Sequence, residues 1–385
     1  LDEFRDVMFA LERSGLLDRA AEGLPTLETL VERVEYGATL TRPELCVLLA
    51  YAKLSIKAQL SDSALLDDAT VQQYMVDYFP TEARQVVGSE AVASHALRRD
   101  IISSQLTNDL VDLMGSTFVH RLTRDTGRDA ADVVHAWLIA AHLARHQEII
   151  DAMIERRSAL KTRDTYRWGL GLGRVLERTT RWLLDHIEPD QRVVTVIENY
   201  REGLEVLQQH FAEVVAGDDR VVFEQRVAEL KSVGADDVLA RRLITLRFLD
   251  QALEILGIAR EVDADVLETA HVFYRLSELL SVPWLRERMS SSAGEGRWEQ
   301  RASLALASDL TRAHRRMVIQ AMRQADAPGS AAQAPRQLLA SRARETERFR
   351  ALISELRDEE EISLAALSVA VRELSVLSER VAPKP

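Results

Sequence analysis

Thr41-Arg-Pro-Glu-Leu-Cys-Val-Leu-Leu-Ala-Tyr-Ala-Lys53 and, some forty residues on, Leu97-Arg-Arg-Asp-Ile-Ile-Ser-Ser-Gln-Leu-Thr-Asn-Asp-Leu-Val-Asp-Leu-Met-Gly-Ser-Thr-Phe-Val119 decide the fold. The first opens on a capping box. The Thr41 hydroxyl is placed to accept from an orphan amide while Glu44 reaches back to the cap. Pro43 is tolerated in the first turn, where its missing N–H has no intrahelical role. Leu45, Leu48, Leu49, Ala52 and Ile56 then follow at helical spacing. The second stretch is a helix from Leu97 to Met114, stopped by Gly115. Physics alone makes both amphipathic helices and assigns them no chemistry.

Working outward, the same pattern recurs. Phe4, Val7, Met8 and Leu11 share a face in Leu1–Leu17, which Gly15 can end. Residues 22–40 are less regular, punctuated by Gly23, Pro25 and Gly37. A helix from Asp68 to Phe79 stops at Pro80. Ser116 can cap a short helix that reaches Leu122 and ends at Gly127, and Asp129 a long one running from Ala130 to Arg156. Further helices are expected over about 162–187, 190–216, 220–232, 236–256, 263–280, 297–325, 336–357 and 360–380, with Pro189, Gly217, Gly234, Gly257 and Pro283 at the joints. Ser290–Gly296 and Ala325–Pro335 read as loops, the second low in bulky apolar residues and therefore mobile. No strand alternation or fixed repeat is present. The expectation is all-α: about thirteen helices and no sheet, with a sub-boundary near 157–165 and a mobile loop at 325–335.

Composition agrees. Apolar residues make up 46% of 385 residues, with only 16 Gly and 9 Pro, below the usual shares of roughly 7% and 5%. The single cysteine, Cys46, excludes an internal disulfide and fits a reducing compartment. The first residue is Leu1 and no charged-then-apolar leader follows, which reads as a fragment or processed form and not a secreted protein. The longest uninterrupted apolar run, Cys46–Ala52, is far short of the ~20 residues of a membrane span. A net charge of −12, from 49 basic and 61 acidic residues, opposes nucleic-acid binding.

Several residues invite a chemical reading. Trp168-Gly-Leu-Gly-Leu-Gly173 has the spacing G-x-G-x-G, not the G-x-G-x-x-G of a dinucleotide fingerprint, and no strand precedes it. Small residues on a closely packed helix face are the better reading. His135, His142 and His146 fall on similar faces of one expected helix, the last two at the i, i+4 spacing of a metal pair. No glutamate follows His142 and no partner completes a ligand set, so half-exposed helical histidines are preferred and no metal is assigned. Asn108 and Asp109, mid-helix, are expected to hydrogen-bond a neighbouring helix end. Arg98-Arg99 and Arg241-Arg242 could grip an anion, but adjacent arginines on a helix point in different directions and usually make a solvated face with local ion pairs. Leu338, Leu339, Phe349, Leu352, Ile353 and Leu356 form an ordinary amphipathic face. No nucleophile elbow, phosphate loop or Cys/His pair occurs. On its own residues the chain has no catalytic, cofactor-binding or metal residue to nominate.

The two opening stretches resemble signature segments of the C-terminal helical region of the large bacterial NAD-specific glutamate dehydrogenases. Leu11-Glu-Arg-Ser-Gly-Leu-Leu-Asp-Arg-Ala20 and Leu24-Pro25 resemble the segment before T-R-P-E-L in that family. Tyr78-Phe-Pro80, Arg178-Thr-Thr-Arg-Trp182, Pro283-Trp-Leu285, Arg297-Trp-Glu-Gln-Arg-Ala302 and Leu364–Leu374 are similar to later motifs, in order, across nearly the whole chain. The chain departs from the family pattern at Asp112 and Leu113-Met114, where the family tends to have Asn and Arg-Ala, and at Gly169, Gly171 and Gly173, which replace better helix formers.

The resemblance implies NAD-dependent oxidative deamination of L-glutamate to 2-oxoglutarate and ammonium in the cytoplasm. It places the Rossmann domain that binds NAD, the glutamate pocket and the catalytic Lys and Asp upstream, on no position of this sequence. Residues 1–385 are then one all-helical C-terminal region that scaffolds, oligomerises or regulates. Its expected partners are the catalytic domain of the same polypeptide and further copies in a homo-oligomer, with no nucleic acid and no membrane. A free-standing α-helical adaptor or regulatory protein is the alternative.

Overall fold

The computed structural model describes residues 2–155, 162–215, 217–232, 234–294, 296–325 and 330–379. Among them every regular element is an α- or 3₁₀-helix and no strand is present. The chain divides into two compact units, Leu1–Asn199 and Tyr200–Pro385. The division falls inside the helix Val193–Gln209. The expected sub-boundary near 157–165 falls largely on residues 156–161, outside the described residues.

In the first unit, Val7, Met8 and Leu11 of helix Asp2–Arg13 meet Leu30, Leu40 and Leu48 in one buried cluster. The helix Arg42–Leu60 buries Leu48, Ala52, Ile56 and Leu60 along a single stripe. Its start follows the sequence. The Thr41 amide donates to Glu44 Oε2 at 2.6 Å. Arg33, eleven residues upstream, donates twice to the same carboxylate at 2.8 and 3.1 Å. The Arg33 fork and the cap amide hold Glu44 down to about 2.

The helix Ala130–Leu143 is the unit's axle. Val133, Val134, Trp137, Leu138, Ile139 and Ala140 are all buried, the all-round burial of a central helix. Asp129 caps it as expected, accepting from the Asp132 amide at 2.8 Å. The expected continuation to Arg156 is interrupted at Arg145, whose φ is +50°, and a new helix runs His146–Glu155. Such a residue costs roughly 1–2 kcal/mol. The ring of His146 folds back to bring Nδ1 within 3.1 Å of the Ala141 carbonyl, one of the acceptors the helix end leaves open.

Ion pairs bind the unit's helices at their edges. Asp125 accepts from Arg124 at 3.0 Å and from Arg181 at 3.1 Å. Glu177 pairs with Arg121 and Arg181, and Arg124 also reaches Asp6 at 2.9 Å. Helices Asp2–Arg13, Phe118–Thr126 and Thr162–His186 are thereby joined.

The second unit is arranged on the helix Arg297–Gln324, against which Leu364–Glu379, Val266–Leu279, Leu249–Val262, Val282–Ser292 and Ala334–Ala340 pack. Gly203 lies so near Leu256 that a β-carbon there would overlap the leucine side chain. His314 is fully buried with its ring 4.5 Å from that of Phe273. Arg342, only 5% exposed, donates to the Leu377 carbonyl at 2.7 Å and to Gln320 Oε1 at 2.8 Å. Gln320 in turn donates to the Ser378 carbonyl at 2.9 Å. These donors satisfy carbonyls at the C-terminus of the last helix, where a cation also favours the helix dipole.

Helices among the described residues outnumber the expected thirteen because ordinary residues break them. Asp263 and Ser281 take φ of +52° and +55°. The stretch 236–256 divides into Asp237–Thr245, a 3₁₀ turn at Leu246–Phe248 and Leu249–Val262. The stretch 336–357 divides at Ser341-Arg342 into Ala334–Ala340 and Ala343–Asp358. The loop expected at Ser290 is helical to Ser292. Of the segment 325–335, residues 326–329 lie outside the described residues; Ser330–Ala332 is a 3₁₀ turn, and Ala331 and Ala334 are buried.

Candidate functional site

Helix Arg98–Met114 ends at Gly115, whose φ of +86° suits a residue without a β-carbon. Its amide donates to the Val111 carbonyl at 2.9 Å. The stop leaves Asp112, Leu113 and Met114 facing the first half of helix Thr162–His186. Between them lies an open groove of about 770 Å³, floored by Gly169, Gly173, Leu170 and Tyr166. Tyr166 is 71% and Leu170 47% exposed.

The glycines were expected on a closely packed face, and here that reading is corrected. A β-carbon at Gly169 or Gly171 would meet nothing within 4 Å, and one at Gly173 would meet only the Leu113 carbonyl, at 3.8 Å. Gly169 and Gly173 leave a shallow trough instead of admitting a neighbour. Each weakens its helix by about 1 kcal/mol relative to alanine.

The rim is charged. Asp112 receives Lys53 at 2.6 Å on one side. Glu177 is held by Arg121 and Arg181. Arg163, Arg167 and Arg174 are exposed. Their spacing, i, i+4 and i+11, puts them with Leu170 on one face of the helix. This ridge escaped the sequence reading, although its arginine–leucine spacing was visible there. Asp112–Met114 and the glycines Gly169 and Gly173 come together around this groove, which no spacing along the sequence could reveal.

The other nominated residues go elsewhere. Asp109 pairs with the phenol of Tyr74, not with a helix end, and lies near His146. Desolvation raises Asp109 against the opposing influence of Tyr74 and His146. Burial raises the Tyr74 phenol, helped by Asp109. Burial lowers His146, against its bond to Ala141. These directions favour the neutral forms, so the cluster ties helix Gln72–Tyr78 and the start of His146–Glu155 to Arg98–Met114. Asn108 is half-buried.

The three histidines do not converge. His135 is buried with Nε2 2.8 Å from the Gln191 carbonyl, His142 is exposed, and His146 caps the preceding helix across the break at Arg145. Among the described residues, no group of three or more His, Cys, Asp or Glu side chains is placed to hold a metal ion.

Arg98 and Arg99 do not diverge as expected. Both reach Asp67, at 3.0 and 2.5 Å, and their hydrogen bonds hold its carboxyl below the usual range. Arg99 also donates to the Ser61 and Ser63 carbonyls at 3.0 and 2.9 Å. The pair grips the chain's own turn, not a free anion. Arg241 is occupied by Asp237 and Glu224.

The glycine run also lies inside a helix, so its amides serve intrahelical bonds and cannot cradle a pyrophosphate as a strand-to-helix turn does. The residues here do not fit NAD. No helix among the described residues is long and apolar enough to cross a membrane.

Two all-helical units and an open apolar groove define a multi-helix α region, and among the described residues no strand is present to build a dinucleotide-binding sheet. The chain belongs to the glutamate dehydrogenase C-terminal family: the family model described as "Glutamate dehydrogenase, C-terminal" matches residues 37–376. It is 30% identical over 379 residues to the NAD-specific glutamate dehydrogenase of Halomonas elongata, covering 98% of this chain and 23% of that protein. The NAD-specific glutamate dehydrogenase of Pseudomonas aeruginosa is 30% identical over 383 residues, with the same coverage of 98% and 23%. That of Mycobacterium tuberculosis is 29% identical over 368 residues, covering 93% and 22%. The chain thus spans less than a quarter of the length of these relatives.

Proposed function

We propose that this chain is the C-terminal helical region of an NAD-dependent glutamate dehydrogenase, which oxidatively deaminates L-glutamate to 2-oxoglutarate and ammonium. The carrying observation is the family match over residues 37–376, made by a chain that covers only 23% of relatives bearing that name. NAD and glutamate bind upstream of this region. Its own role is non-catalytic: it scaffolds the catalytic domain and supports the assembly or regulation of a homo-oligomer in the cytoplasm. The ion-paired helix edges and the open groove support a packing role, since they are features of surfaces that hold and meet other protein.

The test is the mass of the native polypeptide, found by blotting source-cell lysate with an antibody to this chain. A band far above 43.3 kDa, accompanied by glutamate-dependent NAD reduction in the purified protein, is the expected result. A band at 43.3 kDa would remove the dehydrogenase activity from this polypeptide and favour a separate helical adaptor.

A further inference from the structure

The groove beside Gly169 and Gly173 is unusual in what it gives up. A helix of 25 residues carries three glycines in its first half, two of them in the groove, yet among the described residues a β-carbon at any of the three would meet no side chain within 4 Å. Within the described residues no contact offsets the helix stability they forgo, about 1 kcal/mol each. Glycine on a helix lets another backbone approach at short range, which a Leu or Arg at the same place would prevent. The trough is open and apolar, and Tyr166 and Leu170 stand in it exposed. Alongside runs the ridge of Arg163, Arg167 and Arg174. None of the three has a carboxylate partner among the described residues, in a chain whose net charge is −12. An occupant that suits both features has a smooth apolar face and an acidic flank.

We propose that this groove seats an acidic amphipathic helix contributed by the same polypeptide from outside residues 1–385. The inference rests on the reading of the chain as one region of a longer dehydrogenase. That reading leaves more than three quarters of the polypeptide outside the structure, because the chain covers 23% of its relatives. A segment on the same polypeptide meets the groove at high effective concentration, so a shallow trough with modest intrinsic affinity is sufficient. The arginines set orientation and register, and the glycine floor sets the closeness of approach.

The experiment uses the full-length polypeptide with a photo-cross-linking phenylalanine analogue at Leu170. Irradiation is expected to join Leu170 to an acidic peptide from outside residues 1–385 while the band keeps the mass of one polypeptide. Exchanging Arg167→Glu together with Arg174→Glu should lower the yield roughly tenfold. Gly169→Leu should lower it comparably by filling the floor. A β-carbon at Gly169 meets nothing within 4 Å among the described residues, and far-ultraviolet circular dichroism, expected to be unchanged, will separate a blocked seat from a misfolded one.

A cross-link to a second copy, seen as a doubled mass, overturns the proposal. So does one confined to residues 1–385, or a full-length protein that gives none. A native polypeptide of only 43.3 kDa instead defeats the reading on which the proposal rests. The two failures are therefore distinguishable.

Discussion

The two units treat glycine and polar side chains in opposite ways. In the first, Gly169 and Gly173 line an open trough where, among the described residues, a β-carbon would meet no side chain within 4 Å, and exposed Asp109 pairs with half-buried Tyr74. In the second, Gly203 is pressed against Leu256, His314 is sealed in the core, and Arg342 is spent on the Leu377 carbonyl and the Gln320 side chain. Residue type alone does not fix the role. A helical glycine can preserve a vacancy or permit a contact, and only the neighbouring element decides which.

The contrast can be broken most forcefully at Arg342. Arg342→Ala leaves the Leu377 carbonyl without its charged donor and should cost about 3 kcal/mol. Hydrogen exchange of Leu364–Glu379 amides should accelerate; unchanged protection would show that the arginine does not anchor this helix. Next comes Gly203→Ala, expected to cost about 2 kcal/mol because buried Leu256 must move. Thermal unfolding measures it, and a gain in stability would erase the distinction between the two glycine sites.

Acid offers a third probe. Burial, with Arg286 nearby, lowers His314 to about 3, so in the folded state it stays neutral where the unfolded chain takes up a proton. Stability from this residue is fully present above about pH 6.5 and declines as pH falls toward 3, by roughly 1.4 kcal/mol per unit. His120, His135 and His146 are lowered too and act in the same direction. The comparison is therefore between parent and His314→Phe, whose acid limb should be shallower in chemical denaturation at a series of pH values; equal slopes would mean that His314 is solvated. The smallest effect is a gain. Gly169→Ala should stabilise the isolated first unit's helix by about 1 kcal/mol, and a loss in urea unfolding would show that the glycine already has a partner.

Much of this architecture can be read from the chain. The helix start at Thr41–Glu44, the cap at Asp129 and the stops at Pro80, Gly115 and Gly127 all lie where local chemistry puts them. Local chemistry is silent at Arg145, Asp263 and Ser281, which bend the chain without glycine or proline because tertiary packing outweighs their strain. It is equally silent about Arg33 completing the Glu44 cap, or Arg98 and Arg99 sharing Asp67, since those partners are brought together by the fold. The groove was least legible. Its walls lie some fifty residues apart, and spacing within either helix does not say whether the other closes upon it.

The anchoring of the last helix has a consequence for synthesis. Helix Arg297–Gln324 packs along Leu364–Glu379, and Arg342 gains its backbone acceptor only when Leu377 is in place. During translation the second unit must wait, with an apolar helix face and a buried-type guanidinium uncovered, until the ribosome has passed that point. A chain broken before Leu364 would lack the carbonyl that Arg342 donates to and would leave uncovered the face of Arg297–Gln324 against which Leu364–Glu379 packs, an exposed apolar surface that invites association with other unfolded chains.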